Sequence, residues 1–145
     1  MKRNISIVLA VIITVLLVPP VTPQARLEIT EHSSMCDASA AVAISPTMFI
    51  VANDEDNMLR VYWHNKPGKP VHEFDLSSFL EPEPKQEADI EGVTRLGDRV
   101  YWITSHGTNK DGKQRPSRHR LFATVVKVAD DQVIIGEGEH PDSQR

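Results

Sequence analysis

The sequence predicts an all-β protein, an incomplete β-propeller of about two four-stranded antiparallel blades, and three observations predict it. First, the chain repeats itself. "DASAAVAISPTMFIVANDE" (Asp37 to Glu55) lies over "DIEGVTRLGDRVYWITSHG" (Asp89 to Gly107) at an offset of 52 residues, with no gap. Asp37 falls on Asp89, Ala40 on Gly92, Ile44 on Leu96, and "MFIVAN" on "VYWITS". Second, each copy holds four short apolar runs separated by turn signals. Third, no segment beyond residue 25 keeps a helical period over three turns. A period of about 50 residues with four strands per unit is the signature of a propeller blade. An eight-stranded β-sandwich is the alternative, although it does not require the repeat.

The elements follow in order. Residues 1–25 carry Lys2 and Arg3 and then the apolar run Ile5 to Val18. That pattern predicts a secretory signal peptide, too short in its apolar part for a comfortable span, or an uncleaved N-terminal anchor. The first blade is expected over residues 37–80, with strands in "ASAAVA", "MFIVA", "MLRVYWHN" and "VHEFDL". The linker 81–88, "EPEPKQEA", leads to a second blade over 89–138, with strands in "DIEGV", "VYWI", "HRLFATVVKVA" and "QVIIGEG". First strands crowd a propeller axis, and "ASAAVA" is small enough. Second strands lie between neighbours, and their continuous apolar runs predict that both faces are covered. Two blades cannot close a ring. The chain is therefore expected to be the N-terminal part of a longer propeller, or to self-associate through exposed blade edges.

Composition narrows the partners. Apolar residues make up 40% and charged residues 25%, enough to bury a core. The net charge is −4, and residues 1–25 hold two cations and no acid, so the remainder is more acidic still. This gives no pull toward nucleic acid. Membrane contact is expected only through an uncleaved N-terminal segment, and the protein is expected in the periplasm or outside the cell. Cys36 is the only cysteine, which excludes an intrachain disulfide, and it is expected as a small buried thiol.

"MCDASAAVAI", "FIVANDEDNMLRVY", "FDLSSFL", "EADIEGVTRLGDRVYWITSHG" and "NKDGKQRPSRHRLFAT" together resemble the N-terminal part of domain-of-unknown-function family 3616. The resemblance implies a propeller-like, often exported protein and no particular activity. A shorter likeness concerns chemistry: "DIEG", Asp89 to Gly92, resembles the start of the inner strand in lactonase- and phytase-like propeller hydrolases. That likeness implies a divalent cation, such as Ca2+, on the glutamate.

The residues themselves suggest the same place. A hard cation takes six to eight oxygens from converging carboxylates and carbonyls, and a propeller entrance brings one loop per blade to the axis. Glu91 is the first candidate metal ligand and Asp89 the second, with Gly92 allowing close backbone approach. Asp37 and Asp89 have a structural alternative, bracing each blade start through backbone N–H groups. Glu91 has Ser39 as its counterpart, so the repeat does not demand it. "NDEDN", Asn53 to Asn57, reads as an acidic hairpin turn, with Asp54 able to face the axis. The loop Ser105 to Arg120 concentrates Lys110, Lys113, Arg115, Arg118 and Arg120, arginine forks suited to a phosphate or carboxylate. A solvated loop pairing with the acidic linker is the alternative. His106 is the candidate general base. No nucleophile elbow, phosphate-binding glycine loop, zincin motif or cysteine pair occurs, which disfavours serine hydrolases and zinc enzymes.

Two functions fit. One is a binding module for an anionic small molecule or an envelope partner. The other is a divalent-metal-dependent hydrolase of an anionic ester.

Overall fold

The computed structural model describes residues 27–80 and 87–137. The expected signal peptide or anchor, residues 1–25, and residues 81–86 of the expected linker lie outside them. Among the described residues, eight strands form two four-stranded antiparallel sheets, each with its strands side by side in chain order. The first sheet holds β1 (Ala38–Ala43), β2 (Met48–Asn53), β3 (Met58–Trp63) and β4 (His72–Asp75), followed by a one-turn helix α1 (Ser77–Leu80). The second holds β5 (Ile90–Leu96), β6 (Arg99–Thr104), β7 (Leu121–Ala129) and β8 (Gln132–Glu137). Among the described residues the sheets do not close into a ring. Among the described residues no helix is long and apolar enough to cross a membrane.

The turns follow from local chemistry. Ser45 Oγ accepts the amides of Thr47 (3.2 Å) and Met48 (3.0 Å) and so closes the β1–β2 loop. Asp56 accepts the Met58 amide at 2.9 Å and the Arg60 guanidinium at 2.8 Å, fixing the acidic β2–β3 turn. β5 and β6 join over Gly97 and Asp98, where Gly97 takes φ +61°, a conformation open to glycine at no steric cost. β7 and β8 join over Asp130 and Asp131, both at positive φ (49° and 64°), as the tight hairpin turns that match strand twist require.

The core lies between the sheets. Ile50, Leu59 and Val61 from one side meet Val100, Trp102, Phe122 and Val126 from the other, all with at most 1% exposure. Trp102 Nε1 donates to Thr124 Oγ1 at 3.1 Å, so the largest core side chain leaves no orphan donor. Leu80 of α1 closes this core, with the neighbouring Phe79 ring 5.8 Å from Phe122. The first strands β1 and β5 run next to each other. Ser39 Oγ donates to the Ile90 carbonyl. The Arg95 guanidinium donates to the carbonyls of Ala43 (3.2 Å) and Ile44 (2.6 Å).

The strand register corrects the ungapped repeat. Ala41 pairs with Val51, whereas Val93 pairs with Trp102. The Asp37 carbonyl accepts the amide of Asp54, whereas the Asp89 carbonyl accepts that of Ser105. First strands therefore repeat at 52 residues and second strands at 51, because the Gly97–Asp98 turn is shorter than the loop after Ala43. A slip of one residue moves side chains to the other face. The counterpart of Ile50 is thus Tyr101, not Trp102.

This has an architectural consequence. We call the face of the first sheet that meets the second its front. Ile50, Ala52, Leu59 and Val61 lie on it, and their register counterparts are Tyr101, Ile103, Leu121 and Ala123. Those four lie on the side of the second sheet that faces away from the core, where Ile103 and Leu121 are 43% and 51% exposed. The sheets are stacked front to back, as successive propeller blades are, whereas a sandwich built on the repeat would bring equivalent faces together. The rear of the first sheet is covered locally: the His32 ring lies 5.2 Å from Phe49 and 5.0 Å from Tyr62, and Tyr62 donates to the Ser33 carbonyl at 2.9 Å. β2 is accordingly covered on both faces as its composition predicts, and β6 is not. Cys36 is exposed, contrary to expectation, because it precedes β1 and lies outside both sheets.

Candidate functional site

Both first strands begin with a β-bulge at the same place. The register shifts between Ala38 and Ala40 in β1, and between Ile90 and Gly92 in β5. The bulged residues are Ser39 and Glu91. Bulges often re-aim a side chain beside a functional site. In β1 the hydroxyl of Ser39 turns to the neighbouring sheet and ties it through the Ile90 carbonyl. In β5 the same position holds an exposed carboxylate. Gly92 follows it, and a Cβ there would stand 2.8 Å from Ile103 Cγ2, so the absent side chain lets Ile103 lie across the strand.

Carboxylate oxygens of Asp54, Asp89 and Glu91 lie within 4.8 Å of one another. Asp54 comes from the β2–β3 turn, and Asp89 and Glu91 from the start of β5. Beside them opens a cleft of about 460 Å³ lined by Asp54, Glu55, Glu87, Asp89 and Arg118. Asp89 is 9% exposed and sits in the left-handed region at φ +58°. It accepts Ser105 Oγ at 2.6 Å and Arg118 Nη1 at 2.9 Å. The other arginine nitrogen reaches Glu87 Oε1 at 2.5 Å. The Arg118 bond holds the Glu87 carboxyl below its ordinary value, and Glu87 in return keeps Arg118 more firmly protonated. Asp54 Oδ1 is buried with no hydrogen-bond partner among the described residues. Converging like charges and an unsatisfied acceptor oxygen favour a cation at this place.

The basic loop is folded rather than open. Thr108 bridges to Gln114, and Asn109 Oδ1 accepts the amides of Asp111 (3.0 Å) and Lys113 (2.8 Å). Lys110 and Lys113 are exposed on this small hairpin, and neither they nor Arg115 line the cleft. Arg118 alone of the basic set turns into the cleft. Arg120 is fixed by its backbone, which exchanges bonds with Thr104, while its buried Nε has no hydrogen-bond partner among the described residues. His106, at φ +55°, is exposed. Its Nδ1 lies 2.8 Å from the Thr104 carbonyl and donates to it, so in the neutral ring Nε2 is the acceptor. Its ring meets His119 at 5.5 Å.

Sequence reasoning found Asp89, Glu91 and Asp54, but the ungapped repeat makes His106 the counterpart of Asp54. The register makes that counterpart Ser105, whose hydroxyl bonds Asp89. Glu55 and Glu87 were missed as cleft residues. The acidic linker gave the one hint of Glu87, through its expected pairing with loop cations.

A family model covers residues 37–134, a span that contains both bulges, the cleft and the basic hairpin. The chain belongs to the DUF3616 family, described as proteins of unknown function. No curated protein and no solved structure matches it. The DUF3616 span begins at Asp37, so the site falls inside the family's extent while His32 and Ser33, which cover the rear of the first sheet, fall outside it.

Proposed function

We propose that this chain is an exported, periplasmic or secreted binding module whose acidic cleft takes a hard divalent cation, Ca2+ foremost, and through it an anionic ligand. The observation that carries this reading is the convergence of the Asp54, Asp89 and Glu91 carboxylates within 4.8 Å. Each would supply one or two oxygens, and carbonyls and water the rest of the six to eight that calcium takes. Arg118 balances only part of the cleft's charge. The adjacent hairpin, with Lys110, Lys113 and Arg115, would draw the anion toward the rim. Isothermal titration of the full chain with calcium tests the reading. Dissociation constants of extracellular calcium modules, about 10⁻⁴ to 10⁻³ M, set the expected range. Glu91→Gln should weaken binding at least tenfold. No heat at millimolar calcium, or unchanged affinity in Glu91→Gln, would refute the cation site.

One observation favours the second reading, a metal-dependent hydrolase of an anionic ester. His106 follows Ser105, which is bonded to Asp89, and its Nε2 is left as an acceptor. A general base needs that free nitrogen. A phosphoesterase and lactonase screen with calcium present decides between the two. Turnover that disappears in His106→Asn supports the hydrolase. Calcium binding without turnover leaves the binding module.

A further inference from the structure

We propose that the outward face of the second sheet is a docking surface for a further blade of this same repeat. The face carries Leu96, Ile103, Leu121 and Ile134, one large apolar side chain from each strand, exposed by 74%, 43%, 51% and 65%. Arg99, opposite Leu96, and Lys127, opposite Ile134, share this face, and an exposed, mostly apolar face of this kind marks an interaction surface.

Register names the occupant. Ile103, Leu121 and Tyr101 are the counterparts of Ala52, Leu59 and Ile50, each of which is 0% exposed against the second sheet. The complementary surface therefore already exists once in the molecule, as the Val100–Trp102–Phe122–Val126 side of β5–β8. A second copy of this chain does not offer it. Its β5–β8 rear is buried in its own core, and its β1–β4 rear carries Arg60 where β5–β8 has Phe122 and has His32 over Phe49 and Tyr62. The partner should also repeat the clamp made by Arg95, placing an arginine where it donates to the carbonyls of Arg95 and Leu96, the counterparts of Ala43 and Ile44.

One point of the junction cannot repeat. Ser39 donates to the Ile90 carbonyl, but its counterpart Glu91 is an acceptor and repels a carbonyl placed there. The partner must bring a donor to Glu91, so a blade identical to β5–β8 fits only after that mismatch is removed.

The test places a reporter thiol on the face. Leu121→Cys in a Cys36→Ser background is labelled in the full chain alone, and in the chain extended after Arg145 by a second copy of residues 87–137. Both chains are made with Glu91 intact and with Glu91→Ser. The expected result is fast labelling in the unextended chain and at least tenfold slower labelling in the extended Glu91→Ser chain. Ile134→Lys on the same face should restore fast labelling. Equal rates with and without the added repeat in the Glu91→Ser background would overturn the proposal. So would slow labelling of the unextended chain that sediments as a dimer, because a second copy would then be the occupant.

Discussion

The two sheets share a plan and differ in what has become of it. In the first sheet the front is buried, the rear is covered locally by His32 over Phe49 and Tyr62, and the bulge residue Ser39 holds the neighbouring sheet. In the second the rear is buried, the front lies open, and the bulge residue Glu91 is an exposed carboxylate among other acids. The two aspartates diverge in the same way. The backbone carbonyls of Asp37 and Asp89 do the same work, but only the Asp89 side chain is drawn into an ion pair and a serine bond. Repetition fixes the scaffold, and the second copy departs from the first at two points, an acidic cleft and a mostly apolar exposed face.

The largest expected contrast is within β6. Trp102 is fully buried and hydrogen-bonded, and Trp102→Ala should destabilise by about 3–5 kcal/mol. Tyr101→Ala, one residue earlier on the open front, should lose less than about 1 kcal/mol. Urea denaturation followed by circular dichroism measures both, and comparable losses would break the comparison.

The next contrast concerns the cleft. Arg118→Ala removes the cation beside Asp89, whose side chain is 13% exposed, and leaves Glu87 unpaired. A loss of about 1–3 kcal/mol is expected in the same assay, from buried charge left uncompensated. Glu91→Ala removes one of three converging carboxylates and should be neutral or slightly stabilising at pH 7 without metal. A large loss there would mean that Glu91 is structural after all.

A smaller effect separates the two bulges. Ser39→Ala deletes the bond that ties the sheets and should lower stability by about 1 kcal/mol.

The smallest effect is acid sensitivity. Arg118 holds Glu87 below its ordinary value of 4.5. At Asp56 burial acts to raise the carboxyl, but Arg60, the Met58 amide and Asn53 outweigh it and bring it below 3.8. In both cases the folded state favours the ionised form, so the contribution is complete above those ordinary values and is lost as pH falls through the depressed ones. Both pairs are partly exposed, which limits each to less than about 1 kcal/mol. Denaturation midpoints should therefore fall below about pH 4.5, by less in Arg118→Ala.

Strands were legible because apolar runs and turn residues alternate so regularly: "MFIVAN", "MLRVYW" and "VYWIT" lie in strands, and Asp130–Asp131 turns between two more. The register was not legible. A turn shortened at Gly97–Asp98 shifts one strand against another without altering the composition of either. Which of Tyr101 and Trp102 is buried depends on that shift alone. In the site, Asp89 and Glu91 stood out because a short motif carries both. The Glu87–Arg118 pair joins residues 31 apart through a folded hairpin, and no local pattern announces such a contact.

The central claim is that one face of a repeated sheet is buried in the first copy and open in the second. Leu59 and Leu121 occupy equivalent register positions on that face, 0% and 51% exposed. The stability losses of Leu59→Ala and Leu121→Ala, measured side by side in urea, test it most directly. About 2–5 kcal/mol is expected for Leu59→Ala and less than about 1 kcal/mol for Leu121→Ala. Equal losses would contradict the front-to-back stacking, because Leu121 would then be as fully covered as its counterpart.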